Sequence, residues 1–218
     1  MKTIYRMKFS KTGRAKYISH LDLMRCFQRC IRRAELPIAY SEGFHPHMLI
    51  VFAAALSLGF ESECEIIEIQ LREEIPFDEV KNRMNAILPE GIEILRCYAP
   101  QHKMGQMGYA EYKVTLPSDD SMELNKSWKE FMSQEKILVE KKTKRGFREI
   151  DLKEQTEFLS AEEQADGLVL FLRLPAGSTV NVNPSLLIET FEKNSAISFG
   201  FPKYCRQKLF SSEKTEFF

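Results

Sequence analysis

Three of the four histidines of this chain, His20, His45 and His47, fall within residues 14–47, together with Arg25, Arg29, Arg32 and Arg33. Imidazole titrates near neutral pH and suits general acid–base work, with Glu42 as a carboxylate close by in sequence. His20, His45, His47 and Glu42 are therefore the candidate catalytic groups. Imidazole and carboxylate are also donors that zinc or iron accepts. The spacing completes no ligand set, and no metal is assigned here. Guanidinium groups serve a different chemistry, the paired recognition of phosphate oxygens. Arg25, Arg29 and Arg32 recur at helical spacing with Arg33 adjacent, and Lys16 precedes them. A second basic run, with Lys144, Arg145 and Arg148 around Gly146, reads as a hairpin tip able to grip a backbone.

The cations are unevenly spread. Residues 1–48 hold ten Lys/Arg against three acids, while the whole chain balances at 31 and 31. A local surplus of this kind draws polyanions that net charge does not reveal. Lys16, Arg25, Arg29, Arg32, Arg33, Lys144, Arg145 and Arg148 are thus read as nucleic-acid contacts. Ser19, His20, Asp22, Tyr40, Ser41, Glu42, Gly43, Phe44 and His45 are read as substrate-positioning.

These groups need elements to hold them. Ser19 and Asp22 mark a helix start over residues 19–34, with Leu23, Phe27, Ile31 and Ala34 as the buried stripe. Strands are expected at 3–9, 48–58, 65–70 and 92–98, with a second helix opening at Ile75-Pro76-Phe77-Asp78 and carrying Val80, Met84 and Ile87. Strand, helix, strand, strand, helix, strand is the split βαβ order of a ferredoxin-like unit. The pattern then repeats, with strands at 112–116, 137–140 and 167–174. Arg148 to Leu152 extends a hairpin, and helices cover 120–134 and begin after Asn183-Pro184. The last strand is drawn from 197–201 and 203–209. The fold class expected is α+β, two tandem ferredoxin-like (βαββαβ) units with antiparallel sheets. The first unit covers 1–100, a linker 101–110, the second unit 111–210, and a flexible tail 211–218.

Other chemistries find no support. There is no glycine-rich nucleotide loop and no Gly-x-Ser-x-Gly elbow. Cys26 and Cys30 stand one helical turn apart, but the five cysteines form no C-x-x-C and no cluster triad, so they read as buried hydrophobes. Their odd number without paired spacing points to reduced thiols and a cytoplasmic setting. No apolar run is long enough for a membrane span, and the first residues lack a signal peptide's apolar stretch.

Three words carry a family likeness: Lys-Tyr-Ile-Ser-His-Leu-Asp-Leu-Met-Arg (16–25), Tyr-Ser-Glu-Gly-Phe-His-Pro-His (40–47) and Lys-Arg-Gly-Phe-Arg-Glu-Ile-Asp-Leu (144–152). They resemble a bacterial family of radical-SAM-linked proteins, and the likeness spans nearly the whole chain. Members of that family look like companions of a radical S-adenosylmethionine enzyme, encoded beside it or fused to its C-terminus. The resemblance implies an accessory, substrate-presenting role in RNA or ribosome modification. It places S-adenosylmethionine and the iron–sulfur cluster on the partner enzyme, with no cofactor in this chain and no membrane partner. The function expected is an accessory module that binds RNA or a ribosomal component for that enzyme, without catalysis of its own. Two rivals stand beside it. One is an endoribonuclease-like RNA-processing enzyme using His20 or His45 as acid or base. The other is a pure protein–protein adaptor of the radical enzyme.

Overall fold

The computed structural model describes residues 3–143, 146–195 and 197–217, with backbone alone for Lys141, Lys142, Thr143 and Arg148. The described residues form an α+β protein with five α-helices and antiparallel strand pairs. The chain divides into two compact units, Met1–Met107 with Lys208–Phe218, and Gly108–Gln207.

In the first unit β1 (Thr3–Lys11) runs between β4 (Ile92–Tyr98) and β3 (Glu61–Leu71), and short β2 (Ile50–Phe52) pairs with β3. The register sets Tyr5 opposite Ile69 and Met7 opposite Ile67, so one sheet face is apolar along this stretch, with Glu65 opposite Phe9 at its end. Helices α1 (His20–Arg33) and α2 (Phe77–Asn85) cover that face with Leu23, Phe27 and Ile31, and with Val80 and Met84. The stripe spacing that marks α1 in the sequence is thus the face it buries. Ser19 caps α1 by accepting the Asp22 amide (3.2 Å) and donates its own hydroxyl to Asp22 Oδ2 (2.7 Å).

The expected strand over 48–58 is realised only as the three residues of β2. Its remainder leaves the ladder at the small residues Ala53, Ala54 and Ala55, and Gly59 turns the chain at φ 84°. Alanine has little side chain to pack on a pleated face, so the apolar run overstated the strand.

In the second unit β5 (Met107–Pro117) lies between β10 (Lys203–Ser211) and β9 (Gly167–Pro175), and β8 (Glu157–Gln164) pairs with β9. Helices α3 (Ser121–Ser133) and α5 (Pro184–Asn194) carry the core, with Trp128 edge-on to Phe191 at 5.1 Å. Asp120 and Asn183 cap them as their positions suggest. Three readings are corrected here. The hairpin read from 137–140 and 148–152 is present as β6 (Leu138–Thr143) and β7 (Gly146–Asp151), but it forms a separate two-stranded sheet and does not join this one. The strand beside β9 is β8, and Leu152 opens the one-turn helix α4 (Leu152–Gln155). Residues 197–201 stay outside the last strand.

Residues 101–110, expected as a linker, enter β5 from Met107 onward. Of residues 211–218, expected as a flexible tail, the described residues 211–217 make a turn in which Ser211 and Thr215 bond to each other (2.8 Å) and Phe217 is buried.

Candidate functional site

The basic segment does not present all its cations to solvent. Arg6 and Lys11 are buried, at 0% and 1% exposed. Lys11 Nζ donates to the carbonyls of Ile18 (2.8 Å) and Lys16 (3.2 Å), and burial pulls its pKa down against the opposing pull of Glu65. Both residues therefore hold the fold rather than a ligand. Lys16 is half-buried, 3.4 Å from Glu61 and over the Tyr17 ring.

The arginines of α1 behave differently. Arg25, Arg29, Arg32 and Arg33 are all exposed. Arg25 pairs with Asp22 at 3.0 Å. Among the described residues, the side chains of Arg29, Arg32 and Arg33 make no hydrogen bond or ion pair. A groove of about 340 Å³ runs along this side of the helix, lined by Asp22, Arg25, Arg29, Arg33, Cys26 and Cys30, with Ile87 and Pro89 from the turn after α2. Helix geometry explains the membership. At about 100° per residue, Arg29, Arg33, Cys26 and Cys30 lie about 40°, 80°, 100° and 140° round from Arg25, while Arg32 lies about 20° the other way. Arg32, read with the row in the sequence, therefore stands outside the groove, and Arg33 completes it.

The two thiols form the floor. Their sulfurs are 4.0 Å apart, and Cys30 approaches the Ile87 carbonyl at 3.8 Å. Desolvation, followed by the neighbouring Cys26, pushes the Cys30 thiol up to about 11, so it stays protonated at neutral pH. Asp22, fully exposed, is held below the usual carboxylate range, first by the Ser19 hydroxyl and then by Arg25. In the sequence the cysteines read as core residues, and nothing there marks Ile87 or Pro89 as neighbours of the arginines. The i+4 step from Cys26 to Cys30, parallel to that from Arg29 to Arg33, was the available signal.

The histidine turn is a second feature of the same unit. Tyr40 and Met48 bridge antiparallel at its base. The Ser41 amide donates to the His47 carbonyl (2.8 Å), the His47 amide donates to Ser41 Oγ (3.0 Å), and that oxygen lies 2.8 Å from His47 Nδ1. Gly43 takes φ 114°, a conformation that favours glycine, and Phe44 at the tip is fully exposed. Glu42 and His45 are exposed too. His20 belongs to another cluster: its half-buried ring stands edge-on to Phe52 at 5.4 Å, and Phe52 in turn meets Phe9 and Phe27. The structure thus unites Ser19, Asp22 and Arg25, and separately Ser41 and His47. His20 is held by aromatic packing rather than by the histidine turn. Among the described residues, no three His, Cys, Asp or Glu side chains gather as a metal cluster.

Lys144 and Arg145 lie outside the described residues, and Arg148 is described only as backbone of β7. The second unit contains a larger concavity of about 650 Å³, but Asp119, Asp120, Glu123 and Asp166 line it. Four carboxylates repel a phosphate, so the α1 groove is the better-suited anion site.

Fold and site together define an α+β protein with an arginine-lined groove on the first helix of its first unit. Residues 4–184 match the model of a family described as an uncharacterized protein conserved in bacteria (DUF2344), and the chain belongs to that family. No curated protein matches the chain. No helix among the described residues is long and apolar enough to cross a membrane.

Proposed function

We propose that the protein is an accessory RNA-binding module that holds an RNA or ribosomal substrate for a radical S-adenosylmethionine enzyme. The observation that carries the RNA reading is the groove of α1, where Arg29 and Arg33 face solvent and, among the described residues, neither is hydrogen-bonded or ion-paired to a carboxylate, although Asp22 lies near enough to feel the charge of Arg29. Guanidiniums that are not tied up in an ion pair on a firm helix suit phosphate oxygens, and the desolvation cost of pairing them is small at an exposed site. The radical partner is inferred from the words at 16–25, 40–47 and 144–152. On this reading the partner carries the S-adenosylmethionine and the iron–sulfur cluster, and the complex works in the cytoplasm. The five free cysteines of the structure are compatible with that compartment.

We also read both units as ferredoxin-like. Strand order β4-β1-β3-β2 in the first and β10-β5-β9-β8 in the second support this, with the β6–β7 hairpin as an insertion.

The test is binding of transfer and ribosomal RNA by the whole chain at two salt concentrations, for the wild type and for Arg25→Ala/Arg29→Ala. Affinity should fall in the variant, and its salt dependence should flatten, because fewer counterions are released. Equal affinity at both salts would remove the RNA reading. Cleavage of the RNA, lost in His20→Ala, would favour the endoribonuclease instead. Co-purification of the radical enzyme after nuclease treatment, with no RNA binding by the free chain, would favour the adaptor.

A further inference from the structure

The α1 groove has two kinds of wall. Arg29 and Arg33 stand one helical turn apart, about 6 Å along the axis. That is of the order of the step between neighbouring phosphates on one strand. Arg25 is partly committed to Asp22 at 3.0 Å, and the Asp22 carboxylate at that end disfavours a phosphate there. The floor is not ionic. Cys26 is half-buried, Cys30 is buried and neutral at pH 7, and Ile87 and Pro89 close the far side. A site for inorganic phosphate alone needs no such floor. The volume, about 340 Å³, lies near the lower end of small-molecule sites, where a nucleotide-sized group fits. In duplex RNA the bases are paired and stacked, and only a backbone ridge would reach the arginines. In a single strand a base can leave the stack and lie against apolar side chains or guanidinium planes.

We infer that this groove seats a single-stranded RNA segment, with neighbouring phosphates on Arg29 and Arg33 and the nucleoside between them against Cys26, Cys30, Ile87 and Pro89. The inference rests on the RNA-binding reading above and names the ligand state and its seat. Binding buries the Cys26 thiol, so that thiol reports occupancy. Cys205, half-buried and not part of the groove lining, serves as the internal reference.

The experiment follows alkylation of Cys26 by iodoacetamide in the full chain, by mass spectrometry of its peptide. The rate is measured with and without a mixed-sequence single-stranded oligoribonucleotide, with the same sequence as duplex, and with inorganic phosphate. Binding is followed in parallel by fluorescence anisotropy. The single strand should slow Cys26 alkylation several-fold, and the duplex and phosphate should leave it unchanged. In Arg29→Ala/Arg33→Ala the protection should vanish, and the salt slope should fall by about one per lost phosphate contact. Both arginines are exposed, and alanine favours helix, so this variant keeps its fold. A thiouridine-substituted strand, crosslinked by light, should map to the α1 peptide and gives the same answer independently of thiol reactivity. RNA binding without Cys26 protection or an α1 crosslink overturns the seat and leaves the RNA reading standing. Equal protection by duplex overturns single-strand selection, and equal protection by phosphate overturns the nucleoside wall. No RNA binding by any form overturns both this inference and the reading beneath it.

Discussion

Two arginines of the first unit show how position decides what the same side chain does. Arg6 is fully buried; its Nε donates to Glu68 Oε1 at 2.9 Å, its guanidinium also reaches the His102 carbonyl, and it lies 4.8 Å from the Phe217 ring centre. Truncating one partner of such a pair leaves the other charge stranded, so Arg6→Ala should cost about 3–5 kcal/mol in urea unfolding. Arg29→Ala, at an exposed site with no such pair, should stay within about 0.5 kcal/mol while weakening RNA binding. Similar unfolding midpoints for the two variants would contradict this division. The thiols give a pH prediction. Burial pushes Cys97 up to about 12, whereas a thiol in the unfolded chain titrates near ~8.5. Between those values the unfolded chain releases a proton that the folded chain keeps, so the thiol's contribution to stability is complete below ~8.5 and is lost as pH rises. The penalty of Cys97→Ala should therefore be largest at neutral pH and shrink by up to ~1.4 kcal/mol per pH unit above it, as read from denaturant midpoints across that range.

At the scale of elements, the four longer helices and most strands were readable, while β8, the one-turn helix α4 and the true extent of β2 were not. Ser19, Asp120 and Asn183 announce three helix starts because a cap is a local bond between a short polar side chain and the next amides, with no need of the rest of the fold. Ser19→Ala should cost about 1 kcal/mol and return the Asp22 carboxyl toward its ordinary pKa, which an NMR titration of the full chain would register. An unmoved Asp22 would mean that Arg25 and Arg29 set its acidity without the hydroxyl. Strand β8 was unreadable for the opposite reason. Its sequence, Glu-Phe-Leu-Ser-Ala-Glu-Glu-Gln, lacks clean alternation, most of it is exposed, and its register slips between Phe158 and Ser160. Its place comes from pairing with β9, which is apolar but for Arg173, a long-range fact that local pattern does not hold. Gly167 makes the turn between them possible. Its φ is 147°, and an added Cβ would sit 2.2 Å from the Leu116 carbonyl oxygen. Gly167→Ala should accordingly destabilise by roughly 1–3 kcal/mol in thermal or urea unfolding. A neutral result would show that β5 gives way there at little cost. In the site, the arginine row was readable but its boundary was not. The i+7 partner Arg32 and the i+8 partner Arg33 are equal in a list, and only the placement of Ile87 and Pro89 shows which side of α1 is concave.

For the whole molecule the relevant quantity is the segregation of charge. Residues 1–48 carry a surplus of seven cations, and because the chain balances at 31 and 31, the remainder carries an equal surplus of acids. With a pI near 6.9, a molecule of evenly mixed charge would have little hold on a polyanion at neutral pH. Here the structure removes Arg6 and Lys11 from the surface and leaves Arg25, Arg29, Arg32 and Arg33 exposed on one helix. The attraction is then local, a field within a Debye length of α1 of ~8–10 Å at ordinary salt, and the acidic remainder beyond that range is largely screened. The full chain should consequently be retained on immobilised heparin at neutral pH despite its balanced charge, and Arg29→Ala/Arg33→Ala should elute at clearly lower salt. An Arg32→Ala variant separates field from groove: it removes an equal charge from the same helix but not from the concave wall. Heparin, which reads field, should respond to Arg32→Ala about as it does to Arg29→Ala. The single-stranded oligoribonucleotide, seated in the groove, should lose much more affinity with Arg29→Ala than with Arg32→Ala. If both ligands rank the two variants alike, binding is a matter of the helix's charge alone, and the groove adds nothing to it.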